Sequence, residues 1–351
     1  MMNRSMKADP HIRWMQQALD LAHEGLGLTR PNPPVGAVVV KNHRLIGQGF
    51  HKKAGGPHAE IHALNEAGSA ARGATLYVSL EPCSTQGRTP PCVDAIRAAG
   101  IKEVYVSALD PNPLHAGDGL AQLREAGIPT HAGILDAPGR DLIRPWRTFI
   151  TLGRPHVTLK LAMSLDGRIA DHRKQSQWIT GPAARDVVQN LRREVDAIMV
   201  GADTARIDNP SLLPRPARGR KPFRIIVTSE GRLSKSLKVL SDAKASQTIV
   251  ASKTEKKGTL PYRNMKGLLK SLAERDITHL LCEGGGELAG SLIKADLVDD
   301  FIFFVAPTLL GDQGRPGISG IRWDMSSKPH LEIVSSEPVG ADLMIRARNA
   351  E

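Results

Sequence analysis

Apolar Ile12, Met15, Leu19 and Ala22 recur at helical spacing behind Asp9-Pro10, an N-cap acceptor followed by proline at the first helical position. The pattern predicts a helix that Gly25 or Gly27 ends. Arg30-Pro31-Asn32-Pro33-Pro34-Val35-Gly36 is a rigid loop, and Ala37 to Val40, the turn Asn42-His43 and Leu45 to Phe50 read as a hairpin. A helix after Pro57 that stops near Gly68 and a helix from Cys92 to Gly100 bracket a strand from Ala74 to Leu80. A strand from Glu103 to Ala108, a helix from Gly119 to Ala126 and a strand from Thr130 to Leu135 follow. Strands alternating with helices after one hairpin predict a mixed sheet sandwiched by helices. The alternation breaks near Leu152 to Pro155 and restarts. Strands are predicted at His156 to Met163, Ala197 to Val200, Phe223 to Ser229, Thr248 to Ser252, Leu280 to Glu283 and Phe301 to Ala306. Helices are predicted from Pro182 to Glu194, Met265 to Arg275 and Glu287 to Lys294, and strands at Leu331 to Ser335 and Leu343 to Arg348 close the chain. The expectation is an α/β protein of two domains, 1–152 and 153–351, the second with an antiparallel end.

Composition narrows the class. The 351 residues are 41% hydrophobic, enough for packed cores, and no stretch approaches the ~20 apolar residues of a membrane span. The N-terminal Met-Met-Asn-Arg-Ser-Met-Lys has no apolar run after its basic residues and does not read as a signal peptide, so a cytoplasmic protein is expected. Three cysteines are too few for a disulfide scaffold. The net charge of +11 is carried mostly by the second half, which suits a phosphorylated ligand or nucleic acid. An aromatic content of 4% argues against a platform that stacks single-stranded bases.

The chemistry of the first half centres on His58-Ala59-Glu60, Cys83 and Cys92. One imidazole and two thiolates are three zinc ligands; structural zinc normally takes four protein ligands, whereas catalytic zinc keeps a position open for water. Cys282 is too distant in sequence to be a nearby fourth cysteine. Glu60 is then free to move protons, and His-x-Glu followed by Pro-Cys is the signature of zinc nucleobase deaminases. The cysteine spacing is longer than Cys-x-x-Cys, so a loop containing Gly87 and Pro90-Pro91 must fold back. Cys92 opens a helix, where the positive end of the dipole favours its thiolate. Other readings of these residues are a Cys83–Cys92 disulfide, a closed structural zinc clip, and a His-Glu-x-x-His protease using His58 and His62. The last is disfavoured because Ala59 stands where that motif needs glutamate; His62 reads as an ordinary helix residue. In the second half, a strand running into Gly284-Gly285-Gly286 and a helix start suits a phosphate. A plain helix start has the same pattern. Cys282 reads as inert core.

Both halves together resemble the bifunctional deaminase/reductase family of riboflavin biosynthesis. The first half carries Pro-Asn-Pro-Pro-Val-Gly, Pro-His-Ala-Glu, Glu-Pro-Cys, Gly-Arg-Thr-Pro-Pro-Cys and Asp-Pro-Asn-Pro. The second carries Lys-Leu-Ala-Met-Ser-Leu-Asp-Gly-Arg, Ser-Gln-Trp-Ile-Thr, Asp-Asn-Pro-Ser-Leu and Glu-Gly-Gly-Gly-Glu-Leu. The resemblance implies a cytidine-deaminase-like domain followed by a dihydrofolate-reductase-like one. It implies Zn2+ on His58, Cys83 and Cys92, with Glu60 as the catalytic proton carrier. Asn32, His51, Arg88, Asp110 and Asn112 would line the deaminase pocket. NADPH would meet Met163, Trp178, Thr204, Asp208, Ser229, Gly285, Gly286, Glu287, Leu288, Ala289, Gly290 and Ser291. The reductase substrate would meet Ser176, Arg192, Leu212, Arg215 and Glu283, with Arg192 and Arg215 suited to its 5′-phosphate. The implied reactions are hydrolytic deamination of a diaminopyrimidinone ribosylamine phosphate and NADPH-dependent reduction of its ribosyl to a ribityl chain. Asp208 or Lys160 would manage the proton of the second step. The chain departs from the family pattern at Thr85-Gln86 and Leu213-Pro214. The expected partners are the small phosphorylated pyrimidine and further copies of this chain, with no nucleic acid and no membrane. A polynucleotide deaminase with a basic second half is the main rival reading; it would bind RNA tightly and salt-sensitively.

Overall fold

Residues 36 to 41 place apolar side chains on both faces of a strand, with Ala37 and Val39 on one and Val38 and Val40 on the other, and a strand apolar on both faces needs cover on both. In the computed structural model, which describes residues 9–87, 89–113, 115–216 and 220–350, helices supply that cover. The chain divides into two units, Met1–Gly153 and Arg154–Glu351. The first runs α1 (Pro10–His23), β1 (Gly36–Lys41), β2 (Arg44–Phe50), α2 (Ala59–Ala67), β3 (Thr75–Leu80), α3 (Cys92–Ala99), β4 (Glu103–Ala108), α4 (Asp118–Glu125), β5 (Thr130–Ala132), α5 (Asp136–Leu142) and α6 (Arg144–Leu152). Its sheet order is β2-β1-β3-β4-β5. β1 is antiparallel to β2 and β3, while β3, β4 and β5 are parallel, so the sheet is mixed as the alternation predicts. Ala37, Val39, Leu76 and Val104 pack with Ala63 of α2, Ile96 of α3 and Leu123 of α4. Val38, Val40 and Tyr77 pack with Met15, Ala18 and Leu19 of α1. The Asp9 carboxylate caps α1 by accepting from the His11 amide at 2.9 Å. Because β3 and β4 run parallel, the segments after Leu80 and Ala108 leave the sheet at the same end, that of the strands' carboxyl termini.

The second unit runs β6 (His156–Ser164), β7 (Arg168–Ala170), α7 (Pro182–Glu194), β8 (Ala197–Gly201), α8 (Ala202–Asp208), β9 (Phe223–Thr228), α9 (Lys238–Ser241), β10 (Thr248–Ser252), β11 (Leu260–Pro261), α10 (Met265–Ala273), β12 (His279–Gly284), α11 (Gly286–Lys294), β13 (Asp300–Ala306), β14 (Arg315–Pro316), β15 (Leu331–Val339) and β16 (Asp342–Asn349). Its nine-stranded sheet has the order β11-β10-β9-β8-β12-β6-β13-β16-β15, parallel through β13 and antiparallel in the last two strands. Leu159 and Met199 face one core with Leu269 and Leu292, and Ile198 and Ile226 face the other with Val188. Cys282 lies fully buried in β12, its thiol pushed up to about 12 by burial, as expected of inert core.

Two local expectations change. The strand predicted from Thr130 to Leu135 stops at Ala132, because Leu135 turns the chain with a φ of 54° and α5 starts directly after it. Helices α5, α6 and α8 occupy stretches given no element from sequence. Among the described residues no helix is long and apolar enough to cross a membrane.

Candidate functional site

In the first unit three neighbouring elements converge. His58 is the N-cap of α2, Cys83 follows β3 by three residues, and Cys92 is the first residue of α3, after Pro90-Pro91. His58 Nδ1 lies 3.5 Å from Cys83 Sγ and 3.3 Å from Cys92 Sγ. The three ligand atoms all fall within 4.8 Å of one another, and among the described residues no other His, Cys, Asp or Glu joins this cluster. Bonds of about 2.0–2.1 Å to nitrogen and 2.3 Å to sulfur put tetrahedral zinc ligands about 3.5 Å apart, so the donor set fits zinc with one position left over. The Cys83 thiol is lowered to about 4, by its hydrogen bond with Cys92 first, with His58 and the Cys92 backbone N–H adding to it. That same bond, with burial, pushes the Cys92 thiol up. The N–H at the start of α3 donates to Cys83 Sγ at 3.3 Å, so the positive end of that helix faces Cys83 as well as carrying Cys92.

Glu60, in the first turn of α2, is 2% exposed, and its Oε2 has no hydrogen-bond partner among the described residues. Burial, and then the charge on Cys83, raises its carboxyl to about 7. A buried oxygen without a partner beside an incomplete ligand set is the second mark of a site that takes a metal and a substrate. His51 Nδ1 bonds the Pro57 carbonyl at 3.0 Å, which leaves Nε2 to accept from Asn32 Nδ2 at 3.1 Å. The His51 ring lies edge-on to His58 at 5.1 Å, so Asn32 and His51 belong to the same hollow. Burial lowers the His51 imidazole. Asp110 follows β4 by two residues; its Oδ1 accepts from the Asn112 amide at 2.7 Å, and burial raises its carboxyl. Arg88 lies outside the described residues. Sequence reasoning missed Thr89, whose Oγ1 is 3.2 Å from His58 Nε2. Its only signal is its place between Arg88 and Pro90 in the loop that must fold back.

In the second unit a cleft of about 1730 Å³ opens beside the Gly285 turn and α11. One drug-sized ligand needs about 300–1,000 Å³, so this cleft has room for a dinucleotide and a sugar phosphate together. Trp178, Thr204, Asp208, Ser229, Gly285, Gly286, Glu287, Leu288 and Ser291 line it, as do Ser176, Arg192, Leu212, Arg215 and Glu283. Met163, Ala289 and Gly290 are not among its walls. Met163 sits in β6 beside Val305. Ala289 is fully buried, and α11 lies so close to the chain at Ser319 that a Cβ on Gly290 would meet its carbonyl at 1.9 Å. Gly285 adopts a φ of 79°, open to glycine and costly to other residues, which turns β12 into α11 and leaves the helix N-terminus facing the cleft. Ser176 donates to Asp208 at 2.8 Å, and the Arg185 guanidinium lies 4.6 Å from the centroid of the exposed Trp178 ring.

Arg192 does not have the freedom expected of a phosphate ligand. Its Nε and one terminal nitrogen both go to Glu283, at 2.5 and 2.8 Å. Burial alone would raise the Glu283 carboxyl; Arg192 and Lys160 more than offset it and hold it below the usual range. Lys160, half-buried in β6, lies beside this pair, and desolvation lowers its amine against the pull of Glu283. The exposed Arg215, whose amide donates to Gln189 at 2.9 Å, lines the cleft.

Two family models match the chain: the cytidine and deoxycytidylate deaminase zinc-binding region over residues 8–108, and the RibD C-terminal domain over residues 155–345. The riboflavin biosynthesis protein RibD of Aquifex aeolicus (strain VF5) is 43% identical over 346 residues, covering 95% of this chain and 96% of that protein. Its namesake from Escherichia coli (strain K12) is 38% identical over 361 residues, covering 95% and 97%. Among solved structures, form 1 of Acinetobacter baumannii RibD matches with a TM-score of 0.90 at 38% identity, covering 97% of this chain and 99% of that one. A diaminohydroxyphosphoribosylaminopyrimidine deaminase/5-amino-6-(5-phosphoribosylamino)uracil reductase from Thermotoga maritima matches at 0.91, with 38% identity and the same coverage.

Proposed function

The chain belongs to the RibD family of bifunctional riboflavin-biosynthesis deaminase/reductases, and on that premise we propose which of its side chains carry each of the two steps. The first unit removes the 2-amino group of the diaminopyrimidinone ribosylamine phosphate as ammonia. His58, Cys83 and Cys92 hold the zinc. When bound, zinc supplies the Lewis acidity that brings the pKa of a coordinated water to about 7. Glu60 Oε2 takes the proton that the attacking water gives up and delivers it to the ring nitrogen; it then takes the proton of the newly added hydroxyl, which becomes the carbonyl, and passes it to the amine as the C–N bond breaks. Asn32, His51, Asp110 and Asn112 line the pocket that takes the ring.

The second unit reduces the ribosyl group of the deaminated product to ribityl. NADPH, when bound, supplies the hydride that reaches C1′. Trp178, Thr204, Ser229 and the turn at Gly285 and Gly286 would hold the cofactor, and Ser176, Glu283 and Arg215 the sugar phosphate. Lys160 Nζ gives the proton that the ring oxygen takes up as the C1′–O4′ bond opens; Asp208, already accepting from Ser176, orients that hydroxyl.

The observation that carries the first assignment is the unpartnered Glu60 Oε2 beside three convergent ligand atoms. Glu60→Gln is expected to retain zinc, to lose at least about 100-fold in ammonia release, and to leave NADPH oxidation on deaminated substrate intact. The assay supplies the diaminopyrimidinone phosphate with and without NADPH and follows both products. Undiminished deamination by that variant overturns the role of Glu60.

A further inference from the structure

Glu81 ends the apolar run of β3, two residues before Cys83, and is 5% exposed. Both of its carboxylate oxygens are occupied by backbone amides from one stretch of chain. Oε2 accepts from the Asp110 amide at 3.1 Å and the Gly117 amide at 3.0 Å. Oε1 accepts from the Gly119 amide at 2.9 Å and the Leu120 amide at 3.4 Å. Asp110 and Gly117 are the two ends of the loop between β4 and α4, and Gly119 and Leu120 are in the first turn of α4. One buried charge therefore draws the neck of the loop shut and fixes the helix that follows it. The backbone makes room for this joint: a Cβ on Gly119 would stand 2.1 Å from the Pro82 carbonyl oxygen. The Glu81 amide also donates to the Ala108 carbonyl at 3.0 Å, so the side chain reaches across from a point already pinned to β4. The turn that delivers Cys83 and the loop that carries Asp110 and Asn112 are thus tied by a single carboxylate. Hydrogen bonds to an ionised acceptor are about twice as strong as neutral ones, and four amides converging on it define its place closely.

We propose that Glu81 is a positioning residue of the deamination step, whose carboxylate closes the neck of the 110–117 loop and thereby sets Asp110 and Asn112 at a fixed distance from Cys83. The proposal rests on the reading that Asp110 and Asn112 touch the pyrimidine. Glu81 itself meets neither metal nor substrate. Its effect belongs to substrate affinity, because the Glu81 backbone stays pinned to Ala108 of β4 and keeps the Cys83 turn in place when the carboxylate releases the loop.

The test is Glu81→Gln in the full, zinc-loaded chain. Glutamine keeps the shape but turns an NH2 group toward one pair of amide donors. Ammonia release is measured against diaminopyrimidinone phosphate concentration, zinc by metal analysis, and NADPH oxidation on deaminated substrate as a folding reference. The expected result is a KM raised about tenfold or more, a kcat changed by less than about threefold, and unchanged zinc content and reductase rate. Asp110→Ala and Asn112→Ala each raise KM alone, and Asn112→Ala adds little to Glu81→Gln because both act through one loop. An unchanged KM in Glu81→Gln beside raised values in Asp110→Ala and Asn112→Ala overturns the tether and leaves the substrate reading standing. Unchanged KM in Asp110→Ala and Asn112→Ala overturns that reading itself. Lost zinc, or a fall in kcat alone, makes Glu81 a support of the fold and overturns the proposal. Should Glu81→Gln fail to accumulate, Gly119→Ala presses α4 away from the Pro82 carbonyl and crowds Glu81 Oε1 at 3.3 Å, which loosens the same joint while keeping its charge; the same rise in KM is expected, and its absence overturns the proposal.

Discussion

His58 turns Nδ1 toward the two cysteine sulfurs and Nε2 toward Thr89 Oγ1, so with a cation on Nδ1 the ring proton sits on Nε2 and is donated to that hydroxyl. A hydrogen bond on the far nitrogen fixes the tautomer and orientation of a ligating imidazole, and its loss typically costs about 10–100-fold in metal affinity. Thr89→Val is expected to weaken zinc binding by that amount in competition with a chromophoric chelator. Equal affinity in the two proteins would show that the contact orients nothing. The ligands and Glu60 were legible because their chemistry is written in short spacings: His-x-Glu on one turn, and cysteine after a proline twice. Thr89 was not, since a threonine in a proline-rich loop has no local mark of what it faces. Nor was the Arg192–Glu283 pair, whose members lie in α7 and β12 and meet only when the sheet forms. Arg224, fully buried in β9 and bonded twice to Asp242, breaks the apolar run of a parallel strand for the same reason: its partner is supplied by the fold.

At the level of elements, the starts of β6 and β12 bring two histidines together. His156 and His279 meet edge to face at 5.4 Å; His279 Nε2 bonds Thr158 Oγ1 at 2.9 Å, and His156 Nε2 bonds Asp300 at 2.7 Å. Burial first, and His156 second, lower the His279 imidazole to about 3, against the pull of Asp300 and Asp299. The folded chain therefore resists a proton that the unfolded chain accepts near pH 6.5. This contribution to stability is intact above about pH 6.5 and is lost progressively as pH falls toward 3, with a slope of about 1.4 kcal/mol per pH unit from this group. Urea unfolding of the second unit between pH 4 and 7 is expected to show that slope, and His279→Gln to flatten it by one proton. A slope that survives the substitution assigns acid sensitivity elsewhere. Most strands and long helices followed from apolar periodicity. α5 and α8 did not, because each is only seven residues long and α5 carries Pro138-Gly139 inside it, a pair that reads as a turn.

The whole molecule carries two reactions in two separately cored units, each with its own ligand chemistry. Removing zinc with a chelator is expected to stop ammonia release and to leave NADPH oxidation on deaminated substrate unchanged. A parallel fall in the second rate would contradict the placement of the metal in the first unit alone. The family's two-step sequence was readable in the order of the motifs, but the cleft's capacity was not, because strands far apart in sequence build its walls. One further consequence concerns synthesis. His58, Cys83 and Cys92 come from consecutive elements, and β1 to β4 are all in place by Ala108. A nascent chain emerging at about 5–20 residues per second thus holds a complete grip for the ion while the reductase half is still on the ribosome. The ion can therefore be taken up before the second half has been made, so charging for the first reaction does not have to wait for the whole protein.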